Sequence, residues 1–457
     1  METPTDETAI LVKTATEISQ IDAAEWDACA NPEGKPYNPF LSHTFLSILE
    51  QTGCVVPDKG WQPLHLTLSM GSKAKSSPQA TSGTAGPERL QAEASSSKGS
   101  ASLPSEPEPD GPQAQGDETP ASMISHGPIL ACMPCYLKGN SQGEFVFDHA
   151  WADAYHRAGG DYYPKLISAV PFTPVAGRRI LVRPHENAEA HKQAMATAAT
   201  VVAKKHGVSS LHVNFIPQET WQQLGSAGFL QRTDQQFHFH NPGYESFEDF
   251  LGTLASRKRK AIRKERITAL SPGIEIESLT GADLKAEHWD AFHDFYEDTG
   301  ARKWGRPYLN RTAFHALGEQ MPDDCLLVMA KRDGRYIAGA LNFIGGDCLF
   351  GRYWGATEHH PCLHFEICYY QAIDYAIAHG LPRVEAGAQG EHKLARGYIP
   401  TTTYSAHWIA DSGLRGAIEN YLRGERRHIE EIKEVLTDYA PYRKTEPIRL
   451  TSCEEKE

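Results

Sequence analysis

Two stretches of the chain share one grammar, and that shared grammar constrains the fold more than any other feature. The Ala-rich run EAHKQAMATAATVVAKKHG stops on His206-Gly207 and hands over to the strand-like SSLHVNFI, while LHFEICYYQAIDYAIAHG stops on His379-Gly380 and hands over to PRVEAGA. A basic last turn followed by glycine ends a helix, because glycine enters the left-handed region at little cost. Ahead of the second copy come three strand candidates, CLLVMAK, YIAGALNFIG and CLFGRYWGA, joined by turns at Arg332-Asp333-Gly334-Arg335 and Gly346-Asp347. Two readings are open. Common helix-stop chemistry accounts for the matched caps alone, whereas the recurring order of strands, helix and strand points to an internal duplication.

At 457 residues the chain is long for one domain and comfortable for two. The division is expected near residue 242, giving domains 1–242 and 243–457. From Gly71 to Ser122 the composition turns to Ser, Pro, Gly, Ala, Glu and Gln. Such a segment buries too little apolar surface to offset its ordering entropy, so 71–122 is expected to be disordered. WQPLHLTLS before it and PILACMPCYLK after it both read as strands, so the insert is expected to lengthen a hairpin loop, which loop-closure entropy tolerates. Phe145 to Val182, rich in aromatic, Gly and Pro residues, reads as turns and short strands.

Between the halves, FEDFLGTLASRKRKAIRKER carries an apolar stripe of Phe247, Phe250, Leu251, Leu254, Ala261 and Ile262. Its spacing predicts one linking amphipathic helix over 245–268. Seven basic residues fall within ten positions, uninterrupted by acid until Glu265. The run is either a solvated face or a phosphate-binding one, with Arg257, Lys260 and Lys264 as the contacts. No aromatic residues interleave with it for base stacking, which argues against sequence-specific nucleic-acid recognition. A second charged amphipathic helix, LRGAIENYLRGERRHIEEIKEVL, closes the chain as a packing element.

The formal charge of −13 gives no general attraction to nucleic acid or an anionic membrane, so a polyanion must meet a local patch. No apolar run approaches the ~18 residues of a membrane span. METPTDETAILVK lacks the character of a signal peptide, and the nine cysteines form no regular framework. A cytoplasmic protein with reduced thiols is expected. HHPCLHFEIC gathers His359, His360, Cys362, His364, Glu366 and Cys368, yet His364, Glu366 and Cys368 lie two apart, which separates neighbours on a helix. No metal is expected. No GxSxG or P-loop pattern appears, so direct transfer between two bound substrates is the simpler chemistry.

The stretch EAGAQGEHKLARGYIP is the strongest candidate site. It breaks off the strand VEA through glycines and crowds Glu391, His392, Lys393 and Arg396 onto one loop. The C-terminal end of a strand in an α/β sheet is where ligands commonly bind. A carboxylate, an imidazole and two cations can serve as base and as oxyanion or phosphate partners.

PKLISAVPFTPVAGRR, FEDFLGTLASRKRKAIRKER, TGARKWGRPYL, AGALNFIGGDCLFGRYWGA, LHFEICYYQAIDYAI and EAGAQGEHKLARGYIP, in this order, resemble the bacterial FemAB-like, GNAT-related family labelled peptidoglycan biosynthesis/recognition. The resemblance covers nearly the whole chain outside the insert and the termini. It implies an α/β fold of two tandem GNAT-like domains with mixed central sheets. More distantly it is similar to the Fem-type aminoacyltransferases, which implies transfer of an acyl or aminoacyl group to an amine. A cell-envelope precursor or another anionic small molecule is the implied acceptor. The implied donor is an acyl-CoA, an aminoacyl-tRNA, with tRNA then a partner, or another activated acyl group. The resemblance implies a reacting-group loop at Lys393-Leu394-Ala395-Arg396-Gly397-Tyr398. In this reading Glu391 or His392 takes the amine proton, and Lys393 and Arg396 hold a carboxylate, phosphate or oxyanion. Arg302, Lys303 and Trp304 close the cleft, and Arg352, Gln389 and Tyr398 join the binding set. A non-catalytic module that binds cell-wall fragments or another polyanion is the rival from a different class.

Overall fold

The computed structural model describes residues 10–70, 127–271, 273–302, 307–387 and 390–443. The first half runs β1 (Ile10–Ala15), α1 (Ala23–Ala30), α2 (His43–Gln51), β2 (Trp61–Pro63), β3 (His65–Met70), β4 (Ile129–Met133), β5 (Tyr136–Lys138), α3 (His149–Arg157), β6 (Lys165–Ser168), β7 (Leu181–Val182), α4 (Ala188–Lys205), β8 (Ser210–Ile216), α5 (Gln218–Ser226) and β9 (Leu230–His240). The second half runs α6 (Phe247–Thr253), α7 (Ser256–Leu270), β10 (Glu275–Thr280), α8 (Ala286–Arg302), α9 (Arg311–Gln320), β11 (Cys325–Arg332), β12 (Arg335–Ile344), β13 (Cys348–Ala356), α10 (Leu363–Phe365), a π-helical turn (Glu366–Tyr370), α11 (Gln371–Ala378), β14 (Arg383–Glu385), β15 (Ile399–Ile409) and α12 (Ser412–Asp438). The class is the expected α/β with mixed sheets.

The shared grammar has a structural counterpart. Gly207 and Gly380 both cap their helices at positive φ, 64° and 66°. The strands they release run parallel to an earlier strand of the same half for three residue pairs each: β8 along β6, and β14 along β13. Each half then gives its closing strand to the other. β9 pairs with β14, and β15 inserts between β9 and β8. One eleven-stranded sheet results, in the order β10-β11-β12-β13-β14-β9-β15-β8-β6-β5-β2, beside a four-stranded sheet β1-β3-β4-β7.

Helices cover both faces of β11, and its sequence shows why. Cys325, Leu327 and Met329 enter one core, with Trp289, Phe292 and Phe314; Leu326, Val328 and Ala330 enter another, with Ile262, Ile367 and Ile373. A strand covered on both sides reads as a continuous apolar run, as CLLVMA does. The first of these cores also takes in Trp26, Phe40 and Phe45 from the N-terminal helical region, with the Phe40 ring 4.7 Å from that of Phe343. The two halves therefore share apolar burial as well as strands.

The insert 71–122 lies outside the described residues. The strands flanking it, β3 and β4, are antiparallel neighbours, so the insert does span a hairpin connection. The single helix expected over 245–268 is instead two, α6 and α7. Neither Pro nor Gly stands at the break, and the cause is tertiary. The chain after α12 runs alongside, with Ala255 N–H donating to the Pro441 carbonyl at 2.9 Å and Arg443 N–H to the Thr253 carbonyl at 3.0 Å. Leu254 is buried there, opposite Tyr442. Ala261, expected on the apolar stripe, is exposed on α7, while Ile262 and Ala269 are its buried residues. The 145–182 region, expected to hold only turns and strands, also contains α3, which buries Trp151 and Ala152. Among the described residues no helix is long and apolar enough to cross a membrane, and no disulfide joins the eight described cysteines.

Two glycines give a paired test of this packing. A Cβ at Gly355 would stand 2.2 Å from the Phe295 carbonyl oxygen, whereas one at Gly416 on α12 meets nothing within 4 Å. Gly355→Ala is expected to lower the urea midpoint by the equivalent of about 1–3 kcal/mol. Gly416→Ala is expected to raise it by about 0.5–1 kcal/mol.

Candidate active site

The site begins as a mismatch between strands. The β12–β13 register slips so that Leu341 faces Tyr353 and Asn342 faces Gly351, leaving Arg352 as the extra residue. Such a bulge bends a strand and re-aims its side chains. β14 accompanies β13 only over Cys348–Phe350, and beyond Glu385 it gives way to glycine-containing loop. A cleft of ≈ 690 Å³ is lined by residues on either side of this parting, among them Asn342, Arg352, Trp354, His364, Tyr369 and Lys393.

Arg352 ties the parting strands together. Its Nη2 donates to Glu385 Oε2 at 3.1 Å and its Nη1 to the Gly351 carbonyl at 2.8 Å, with the side chains only 2% and 1% exposed. Burial alone would raise the Glu385 carboxyl, but His238, Arg352 and Arg383 outweigh it and hold the group below its ordinary value. The Arg352 Nε and the Asn342 Oδ1, both buried on residues that line the cleft, have no hydrogen-bond partner among the described residues.

The second wall is the helix that starts at Leu363. It opens from Cys362 at φ 65° and passes through the π-helical turn, a feature often found at functional sites. His364 and Cys368, four apart, line the cleft together with Tyr369. Glu366 is fully buried and bound by Arg266 at 2.8 Å. The alternate spacing therefore separates this acid from the histidine and cysteine. Among the described residues no three His, Cys, Asp or Glu side chains converge in a way that would hold a metal ion.

The loop itself is a short 3-10 turn over Glu391–Arg396. Lys393 is 2% exposed and donates to the Gly387 carbonyl at 3.0 Å. Burial pulls its ammonium down to about 8, with Cys368 opposing and Arg352 adding to the fall. His392 lies 2.8 Å from the Tyr369 hydroxyl, and burial, then Arg396 and Lys393, hold its imidazole below its ordinary value. Two glycines make the turn: a Cβ at Gly390 would press on the His392 ring, and Gly397, at φ 94°, abuts the Phe250 ring.

Arg396 has a different place. Its guanidinium donates to the His392 carbonyl at 2.6 Å and to Glu265 of α7 at 3.0 Å, and lies 3.3 Å over the Phe365 ring. It positions the turn and does not line the cleft. Tyr398 is buried in the core, donating to the Tyr369 carbonyl at 3.3 Å. Arg257, Lys260 and Lys264 are exposed on α7, away from the cleft lining. Arg302 donates to the Ala356 carbonyl at 2.5 Å and pairs with Asp298. It lines a smaller hollow that shares Trp354 and His364 with the cleft. Lys303, Trp304 and Gln389 lie outside the described residues, as does the side chain of Glu391.

The first half supplies the opposite wall, Ser141–His149, which the sequence reading missed. Two acids of this segment are buried behind it. Lys165 donates to Glu144 at 2.8 Å and to Asp148 at 2.5 Å, and Lys138 lies 4.0 Å from Glu144. Burial pushes Glu144 up to about 7 and Lys138 down to about 7. No local motif marks this wall, since its acids and lysines meet only through strand pairing. His364 and Cys368 were legible in principle, from their i, i+4 spacing at a helix start.

The buried pair predicts a specific stability pattern. Arg352→Ala leaves Glu385 as an uncompensated buried charge and is expected to cost about 3–5 kcal/mol in urea unfolding, with the double replacement Arg352→Leu and Glu385→Leu recovering most of it.

The family model that matches the chain is the FemAB-like one, described as peptidoglycan biosynthesis/recognition, over residues 17–79 and 117–444. The chain belongs to that family. No curated protein matches it. Among solved structures, FemX is 12% identical with a TM-score of 0.49, covering 89% of this chain and 100% of its own. A tandem GNAT protein from the clavulanic acid biosynthesis pathway is 11% identical with a TM-score of 0.38, covering 88% and 98%.

Proposed function

We propose that this FemAB-like protein is an N-acyltransferase. It moves an acyl or aminoacyl group from an activated ester or thioester, such as an aminoacyl-tRNA or acyl-CoA, to an amine on a cell-envelope precursor. The halves 1–242 and 243–457 act as its two tandem domains, and described cysteines without a disulfide suit a reducing cytoplasm. The observation that carries the reading is Lys393, a buried ammonium lowered to about 8 on the floor of a cleft beside a depressed imidazole. Perturbed groups gathered in one cleft are what acid–base chemistry near neutrality requires.

The steps follow from these groups. With His392 Nε2–H donating to the Tyr369 hydroxyl, Nδ1 keeps its lone pair and accepts a proton from the acceptor's ammonium. The freed amine attacks the acyl carbon, and the oxyanion forms against the Lys393 ammonium. The new C–N bond completes as the acyl–oxygen or acyl–sulfur bond breaks; the leaving group takes the proton back from His392, and the attacking nitrogen gives up its second proton to solvent as the neutral amide forms. Arg396 holds the turn by its bonds to Glu265 and the His392 carbonyl. The orphaned Asn342 Oδ1 and Arg352 Nε offer an acceptor and a donor to the substrate's polar groups.

Initial rates across about pH 5–10, with a panel of acyl-CoAs and aminoacyl-tRNAs and amine acceptors, test this. The rate is expected to rise as His392 loses its proton below its ordinary value and to fall as Lys393 loses its own near about 8. Lys393→Arg is expected to move the falling limb to higher pH, and Lys393→Ala to lower kcat by about 10²–10³. Binding of cell-wall fragments with no turnover of any donor would favour the recognition-only reading.

A further inference from the structure

Helix α7 presents an outward face that the cleft chemistry leaves unused. Of its cations, Arg263 is paired with Glu248, and Arg266 with Glu366 and Asp374; its acid, Glu265, is taken by Arg396. The side chains of Arg257, Lys258, Arg259, Lys260 and Lys264 make no hydrogen bond or ion pair among the described residues, and Arg257, Lys260 and Lys264 are exposed. Ile262 and Ala269 fix the inward side of the helix. At 100° per residue Lys260, Lys264 and Ile267 fall together on the opposite side. Ile267 is 71% exposed and Leu270, three residues on, 38%.

We infer that this face docks on the surface of an anionic lipid bilayer. The cations supply attraction to acidic headgroups, and a cluster of four to eight Lys or Arg residues on an amphipathic helix is the usual composition of such a site. Ile267 and Leu270 supply the apolar insertion that a purely electrostatic face lacks. A protein of formal charge −13 gains no such attraction from its overall field, so the helix must carry it. Nucleic acid is the competing polyanion, but it would make no use of two exposed aliphatic side chains, and the face carries no aromatic residue for base stacking. Through Glu265, α7 also holds Arg396 and Tyr370, which ties the docking face to the turn that bears His392 and Lys393. The inference does not depend on the transfer chemistry.

Co-sedimentation of the full chain with phosphatidylcholine vesicles, with and without about 30% phosphatidylglycerol, tests it at low and high salt. The protein is expected to pellet only with the anionic vesicles and to be released by high salt. Lys260→Gln with Lys264→Gln is expected to weaken binding about fivefold per charge. Ile267→Ser is expected to weaken it about tenfold. Circular dichroism should be unchanged, because all three side chains are exposed. No preference for anionic vesicles would overturn the inference. So would unchanged binding of Ile267→Ser alongside tighter, salt-sensitive binding to a homopolymeric RNA.

Discussion

The site depends on one buried ion pair. Where β13 and β14 part, the sheet must open without exposing or stranding its polar groups, and the Arg352–Glu385 pair spans that opening. A pair this deep gains little over an apolar isostere, because desolvation offsets most of the attraction. It is better understood as geometry. The guanidinium also binds the Gly351 carbonyl, so it fixes the bulge in β13 and the end of β14 together. Its positive charge then reaches Lys393, whose ammonium it helps to depress. One interaction thus shapes the cleft and sets part of its electrostatics.

The exchange of strands extends that constraint across the molecule. β9 closes the sheet against β14, and β15 returns from the turn over Glu391–Arg396 to lie between β9 and β8. The turn over Glu391–Arg396 is therefore held at both ends by strands of a single sheet, and from behind by Glu265 on α7. The far wall, Ser141–His149, is anchored by lysines of the first half, so both halves contribute to one cleft. A transfer reaction that must align two substrates is served by such a rigid frame, since orientation supplies much of the rate.

Much of this was legible in the sequence. The matched helix stops at His206-Gly207 and His379-Gly380 foretold the helix ends and the strands β8 and β14 that follow them, because the capping rule and strand phasing are local. The turn over Glu391–Arg396 was legible as a break after a strand, because the glycines that frame it are a local signal. Other features were not. The break at Leu254 arises from backbone pairing with Pro441 and Arg443, nearly two hundred residues away in the chain, and no local signal reports it. The role of Arg396 changed for the same reason. Its charge looked available in the sequence, but Glu265 and the Phe365 ring claim it. The basic face of α7 was plain as composition, while the exposure of Ile267 beside it required the structure.

The central claim is that burial in this cleft turns Lys393 into a group that titrates near neutrality. An NMR titration of the lysine side-chain signals, with Lys393 assigned by its loss in Lys393→Arg, measures this directly. The account predicts a midpoint of about 8. A midpoint near the ordinary lysine value of about 10.4 would contradict it.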